Sequence, residues 1–187
     1  MSAKMLTAIV KEIEYYSEKI NEQQIKKVAH LCHKAQRIFV AGSGRSGFAA
    51  RGFANRLMQL GMQVYFVGET TTPSIQKHDL LLIGSGSGST SSLVNNAQKA
   101  KESGAYLATL TIYRDATIGQ ISDAIIEIPG GTPKNNSTNQ DTAKSIQPMG
   151  TLFEQLSWLT YDAIILELIE MTNQTAETMF ARHANLE

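Results

Sequence analysis

Five short apolar runs, each closed by glycine or by polar turn residues, constrain this chain more than any other feature. They are Arg37–Ala41, Gln63–Val67, Asp79–Ile83, Tyr106–Leu110 and Ala124–Ile128. The runs are continuous rather than alternating, the pattern of strands buried on both faces of a parallel sheet. Ser46 to Leu60 and Ser89 to Ser103 have helical spacing, and a shorter helix is expected around Thr72 to Lys77. Strands alternating with helices imply right-handed crossovers. The expected fold is therefore α/β: a three-layer α/β/α sandwich on a five-stranded parallel sheet in flavodoxin-like order.

The flanks are helical. Met5, Leu6, Ile9, Val10, Ile13 and Tyr16 recur at helix spacing up to Ile20, and Asn21 is placed to cap a second helix running to about Ala35. Pro129 to Gln147 is polar and nearly free of apolar residues, so a functional loop is expected over 130–150. A long helix follows over about 151–171, then a shorter one from Thr175 to the end. Leu152, Phe153, Leu156, Trp158, Leu159, Ile164, Ile165, Leu166, Leu168 and Ile169 nearly encircle the long helix. Such a helix is buried on most sides, at a subunit interface or within the monomer.

Length and composition set outer bounds. A chain of 187 residues suits one domain over 1–187, and 42% apolar with 18% charged residues is not the composition of a disordered segment. Basic and acidic residues number 17 each, so no global field favours nucleic acid or an anionic membrane. Cys32 is the single cysteine, which excludes an intrachain disulfide and suits a reducing cytoplasm. The N-terminal stretch carries Glu12, Glu14 and Glu18 among its apolar residues and does not read as a signal peptide, and no apolar run is long enough to span a bilayer. A cytoplasmic protein is expected.

Two glycine-rich turns carry the chemistry. Gly42-Ser-Gly-Arg-Ser-Gly47 follows the first strand and opens a helix, the context of a dinucleotide fingerprint, and Glu69 sits where a ribose-binding carboxylate belongs. Ser85-Gly-Ser-Gly-Ser-Thr90 follows the third strand and opens the next helix. There Gly86 and Gly88 let amides approach an anion, Ser85, Ser87, Ser89 and Thr90 add hydroxyl donors, and the helix start adds positive potential. The second turn lacks the lysine of a P-loop and suits one phosphate monoester. In flavodoxin-like order both turns face one crevice. A dinucleotide would need only the first of them.

At these residues the chain resembles sugar isomerase (SIS) domains. Ser145-Ile-Gln-Pro-Met-Gly-Thr-Leu-Phe-Glu-Gln155, Met179-Phe-Ala-Arg-His-Ala-Asn-Leu-Glu187 and Ala41 to Gly47 resemble the 6-phospho-3-hexuloisomerase family within it. The resemblance implies interconversion of 3-hexulose 6-phosphate and fructose 6-phosphate, the step after formaldehyde fixation in the ribulose monophosphate pathway. It further implies a homotetramer, a functional link to 3-hexulose-6-phosphate synthase, and no metal, nucleotide or other cofactor.

Moving a carbonyl from C3 to C2 requires one base within reach of both carbons. Glu154, in the first turn of the long helix, is the candidate; position alone leaves open that it only complements the helix dipole. A second proton moves between O2 and O3, and His183, in the family-like tail, is the candidate shuttle, from its own chain or a neighbouring subunit; position alone favours a terminal surface histidine. Ser43, the Gly44 amide and Arg45 are expected near the developing enediolate, with Ser46 beside them; Arg45 facing solvent and Ser46 acting as a cap remain alternatives. Competing readings are an isomerase of another phosphosugar such as a pentose 5-phosphate, a non-catalytic sugar-phosphate sensor, and a nicotinamide-binding protein. His30, Cys32 and His33 have no further ligands beside them and are read as helix surface and core.

Overall fold

The computed structural model describes residues 3–131 and 144–186. Elements run α1 (Lys4–Ser17), α2 (Glu22–Lys34), β1 (Ile38–Gly42), α3 (Gly44–Gln59), β2 (Val64–Phe66), β3 (Leu80–Gly84) and α4 (Ser91–Glu102). They continue with β4 (Tyr106–Thr111), α5 (Thr117–Ile121), β5 (Ala124–Glu127), α6 (Thr151–Thr172) and α7 (Ala176–Phe180). The five strands form one parallel sheet in the order β2-β1-β3-β4-β5. This is the flavodoxin-like order, with its switch point between β1 and β3.

Side chains alternate across the sheet. Ile38, Val40, Leu80 and Leu82 point into a core shared with α2, α3 and α6; Phe39, Ala41, Leu81 and Ile83 point into a second core under α4 and α5. That period of two is why a continuous apolar run is needed. Central β3 is buried along its whole length. At the start of the sheet, Arg37 Nε and Nη2 donate to the two carboxylate oxygens of fully buried Asp79 at 3.0 and 2.6 Å. The pair clamps the N-terminal ends of β1 and β3.

At the other end of β1 the chain turns sharply into α3. A Cβ on Gly42 would stand 2.9 Å from Gly47 Cα, and one on Gly47 would stand 2.9 Å from Gly42 O. Strand end and helix start touch backbone to backbone, so these two glycines set the close helix–strand packing.

Two expectations are corrected, and one helix is added. Residues 72–77 are not helical. Pro73 has no N–H and disfavours a helical Thr72; Thr72 Oγ1 donates to Phe66 O instead, and Gln76 N–H donates to Asp79 Oδ2. The last helix stops at Phe180 rather than at the C-terminus, because the residues beyond it are exposed and no packing propagates a helix so short. Five-residue α5 was not anticipated, being too short to show a periodicity. Most of the expected polar loop, residues 132–143, lies outside the described residues.

Helix α6 divides its apolar surface. Leu152, Phe153, Leu156, Tyr161, Ile164, Ile165 and Leu168 are buried within the chain, whereas Trp158, Leu159 and Leu166 stay exposed. Trp158 lies over Gly52 of α3, where a Cβ would come within 2.6 Å of its ring.

Candidate active site

A cavity of about 270 Å³ opens at the C-terminal ends of β1 and β3, between the starts of α3, α4 and α6. Open α/β sheets bind ligands at this place, where the strand order reverses. The β1–α3 turn brings Ser43, Gly44, Arg45 and Ser46 to the cavity; the β3–α4 turn brings Ser85, Gly86, Ser87 and Thr90. The start of α6 brings Glu154.

The β3–α4 turn is pinned from behind. Ser85 N–H donates to Leu110 O at 3.0 Å, Ile112 N–H to Gly86 O at 3.2 Å, and Ile118 N–H to Gly88 O at 3.0 Å. Gly44 and Gly88 adopt φ of 59° and 60°, left-handed conformations that favour glycine and aim the following amides. Ser43 and Thr90 are the N-caps of α3 and α4, yet neither side chain makes a capping hydrogen bond. Elsewhere Asn21 and Thr175 do cap with their side chains. Ser43 and Thr90 both line the cavity. Ser87 Oγ and Thr90 Oγ1 share one long hydrogen bond at 3.5 Å across the turn.

Arg45 and Glu154 are the charged residues of the lining. Arg45 Nε donates to Glu154 Oε2, which leaves Oε1 without that contact. The Glu154 side chain is 18% exposed and that of Arg45 64%, so the carboxylate sits inward and the guanidinium at the rim.

Not every expected residue arrives. Gly88 is buried in the turn and does not line the cavity; exposed Ser89 uses its amide on Ser87 Oγ at 3.4 Å. His183 lies elsewhere. Its neighbour Arg182 donates to Gln59 O at 3.0 Å, at the C-terminal end of α3, while the cavity is at the N-terminal end. A 16-residue helix is about 24 Å long, so the tail and the cavity of one chain stand about 20 Å apart. Glu69 pairs with Arg51 at 2.5 Å and takes no part in the cavity. Leu93, Ile112, Met149, Gly150 and Phe153 also line it. Met149, Gly150 and Phe153 lie in the family-like segment 145–155, but nothing in it singles them out: Phe153 reads as core, and the left-handed φ of 50° at Met149 is unusual for its residue type.

A second, shallower groove adjoins the first. Arg45, Phe48, Ala49, Glu154, Gln155 and Trp158 line it, and Phe48 and Trp158 are exposed apolar side chains. Among the described residues, no three His, Cys, Asp or Glu side chains converge as a metal site would need, and no helix is long and apolar enough to cross a membrane.

A doubly wound sheet with two glycine-rich turns and one inward carboxylate at its switch point defines a small-ligand α/β domain. The chain belongs to the SIS domain family, whose model matches residues 31–158. A Bacillus subtilis protein named 3-hexulose-6-phosphate isomerase is 45% identical over 179 residues, covering 96% of this chain and 95% of that one. A Mycobacterium gastri protein of the same name is 38% identical, covering 97% and 89%. The crystal structure of a hypothetical protein from Methanococcus jannaschii, taken to infer a molecular function of 3-hexulose-6-phosphate isomerase, superposes with a TM-score of 0.81. It is 32% identical, covering 98% of this chain and 99% of that one.

Proposed function

We propose that this chain interconverts 3-hexulose 6-phosphate and fructose 6-phosphate through an enediol, as one SIS domain spanning 1–187. The observation that carries the reading is a cavity in which one inward carboxylate faces two helix starts whose N-cap side chains make no capping hydrogen bond. The 45% identity to a protein named 3-hexulose-6-phosphate isomerase supports the choice of substrate.

The phosphate docks on Ser85–Thr90. Hydroxyls of Ser85, Ser87 and Thr90 and the first amides of α4 hold its oxygens, and the helix dipole compensates its charge without a cation. Gly86 and Gly88 keep the turn open to the anion, and Ser89 supports Ser87. The carbonyl end then reaches Glu154 and the Ser43–Ser46 turn. Glu154 Oε1 removes the C2 proton, negative charge moves onto the substrate oxygen, and the enediol takes the proton back at C3. Ser43, the Gly44 amide and Arg45 stabilise the oxyanion. A 3-ketose phosphorylated on O6 has no free hydroxyl placed to close a five-membered ring on C3, so the forward reaction starts from the open chain. The isomerisation is redox-neutral and requires neither a metal nor a nucleotide.

His183 carries the proton between O2 and O3. The 20 Å estimated between tail and cavity requires that it enter from a second copy. Exposed Phe48 and Trp158 beside the cavity and Leu159 next to them support such a contact, and the family resemblance extends it to a homotetramer. In the cell we place the chain in the cytoplasm, after 3-hexulose-6-phosphate synthase in the ribulose monophosphate route of formaldehyde assimilation or detoxification.

The test is incubation with fructose 6-phosphate in deuterium oxide, followed by NMR of the hexose carbons. Deuterium at C3 together with a new 3-ketose 6-phosphate is expected. Binding without exchange would overturn the isomerase in favour of a sensor, and exchange with a pentose 5-phosphate alone would reassign the substrate.

A further inference from the structure

Helix α1 lies outside both glycine turns, yet one of its side chains reaches toward the catalytic helix. Half-buried Glu12 accepts three hydrogen bonds from the segment that leads into α6. Ser145 Oγ donates to its Oε2 at 3.1 Å, Ile146 N–H to its Oε1 at 2.8 Å, and Gln147 Nε2 to its Oε2 at 2.9 Å. The second hydrogen of the Gln147 amide goes to Gln155 Oε1, also at 2.9 Å. Ser145 Oγ in turn accepts the Gln147 N–H at 3.0 Å. Gln155 is the immediate neighbour of Glu154, and Met149 and Gly150, between the two ends of this network, line the cavity.

We propose that Glu12 is a positioning residue for the reaction: its carboxylate tethers residues 145–147 and, through Gln147 and Gln155, sets where Glu154 stands relative to the substrate. The inference rests on the reading of Glu154 as the base. Its chemistry is specific, because all three partners present donors and only an acceptor-only group satisfies them together. A glutamine at position 12 would turn an amide hydrogen toward a donor. Nothing in the network touches Ser85–Thr90, so phosphate binding is independent of it.

Displacing a catalytic group by about 1 Å costs on the order of 100-fold in rate. Glu12→Ala is therefore expected to lower kcat about 10–100-fold while KM for fructose 6-phosphate changes less than about twofold. Hydrogen exchange at the Ile146 amide should accelerate in the variant, with that of the α6 amides beyond Leu156 unchanged. Glu12→Gln should share the defect. Glu12→Gln combined with Gln147→Glu should recover most of the lost kcat, since the donor and acceptor are exchanged and the Gln155 amide can flip to donate. Unchanged kcat in Glu12→Ala overturns the proposal. So does a parallel loss of kcat and substrate affinity, or a double variant no better than Glu12→Gln, since either marks a general structural role. If Glu12→Ala fails to fold, Gln147→Ala applies the same kcat-against-KM criterion. The unaltered chain is the control: its failure to turn over fructose 6-phosphate would overturn the proposed reaction itself.

Discussion

Gly84 closes β3 at the floor of the cavity, and its missing side chain has a definite reason. A Cβ built there stands 2.5 Å from Tyr161 Oη; the next atoms are Tyr161 Cζ at 3.8 Å and Ser46 O at 3.9 Å. The tyrosine cannot retreat, being 2% exposed and stacked on Phe53 with ring centroids 4.7 Å apart. Among the described residues its hydroxyl has no hydrogen-bond partner, and burial pushes the phenol well above its ordinary pKa. Gly84→Ala alone should therefore overpack the site and cost about 1–3 kcal/mol. Tyr161→Phe alone should be neutral or stabilising by about 1 kcal/mol, because it deletes an unsatisfied buried hydroxyl. In the Tyr161→Phe background the 2.5 Å contact is gone and only ordinary contacts remain. There Gly84→Ala should cost nothing, or gain about 0.4–1 kcal/mol from the stiffer unfolded chain. The coupling is then about 1–3 kcal/mol in favour of the double variant. Urea denaturation of the four proteins measures it; each kcal/mol also moves Tm by about 2–4 °C in a chain of this size. If Gly84→Ala costs the same with and without the hydroxyl, Tyr161 is not the wall that keeps this position glycine.

Glu154→Gln should abolish turnover while sugar-phosphate binding persists. Coexpression of Glu154→Gln with His183→Asn should restore activity at about a quarter of the sites, as random mixing in a symmetric oligomer allows when one copy serves another; inactive mixtures would remove His183 from the neighbouring site. Ser87→Ala should weaken binding of inorganic phosphate or fructose 6-phosphate by about 1–3 kcal/mol with kcat little changed, measured by calorimetry; equal affinity would take Ser87 out of the phosphate site. Burial pushes the Cys32 thiol up to about 12. The thiolate is the reactive form, so iodoacetamide at pH 8 should leave the folded chain unmodified and label it only after denaturation.

The sheet could be read from sequence because every strand is both short and continuously apolar, and because the strand ends carry their own punctuation. Gly42–Gly47 and Ser85–Thr90 follow β1 and β3, so the switch point and the two turns that flank it are legible in one local pattern. Position in the first turn of a long helix leaves Glu154 open between dipole and cavity, and the resemblance of Ser145–Gln155 to the family singles it out; the structure puts it in the cavity lining. What sequence withheld depends on distance along the chain. The contact of Arg182 with Gln59 spans 123 residues, and it decides that His183 stands far from the cavity of its own chain. Glu12 meets Ile146 across 134 residues, and nothing near Glu12 suggests it. Residues 72–77 misled for the opposite reason: their local spacing looked helical, but Pro73 and side-chain bonds to neighbouring backbone outweighed it.

The buried clamp of Arg37 on Asp79 sits at the end of the sheet away from the cavity. Strand register is held there by one ion pair and by apolar side chains, none of which a substrate touches. The two turns that line the cavity, 43–46 and 84–90, and the start of α6 project from this frame as separate attachments. A change of substrate therefore requires no renegotiation of the core. The same frame can be retailored for sugar phosphates of other lengths by altering a handful of loop and helix-start positions, and libraries confined to those positions should keep most of their members folded.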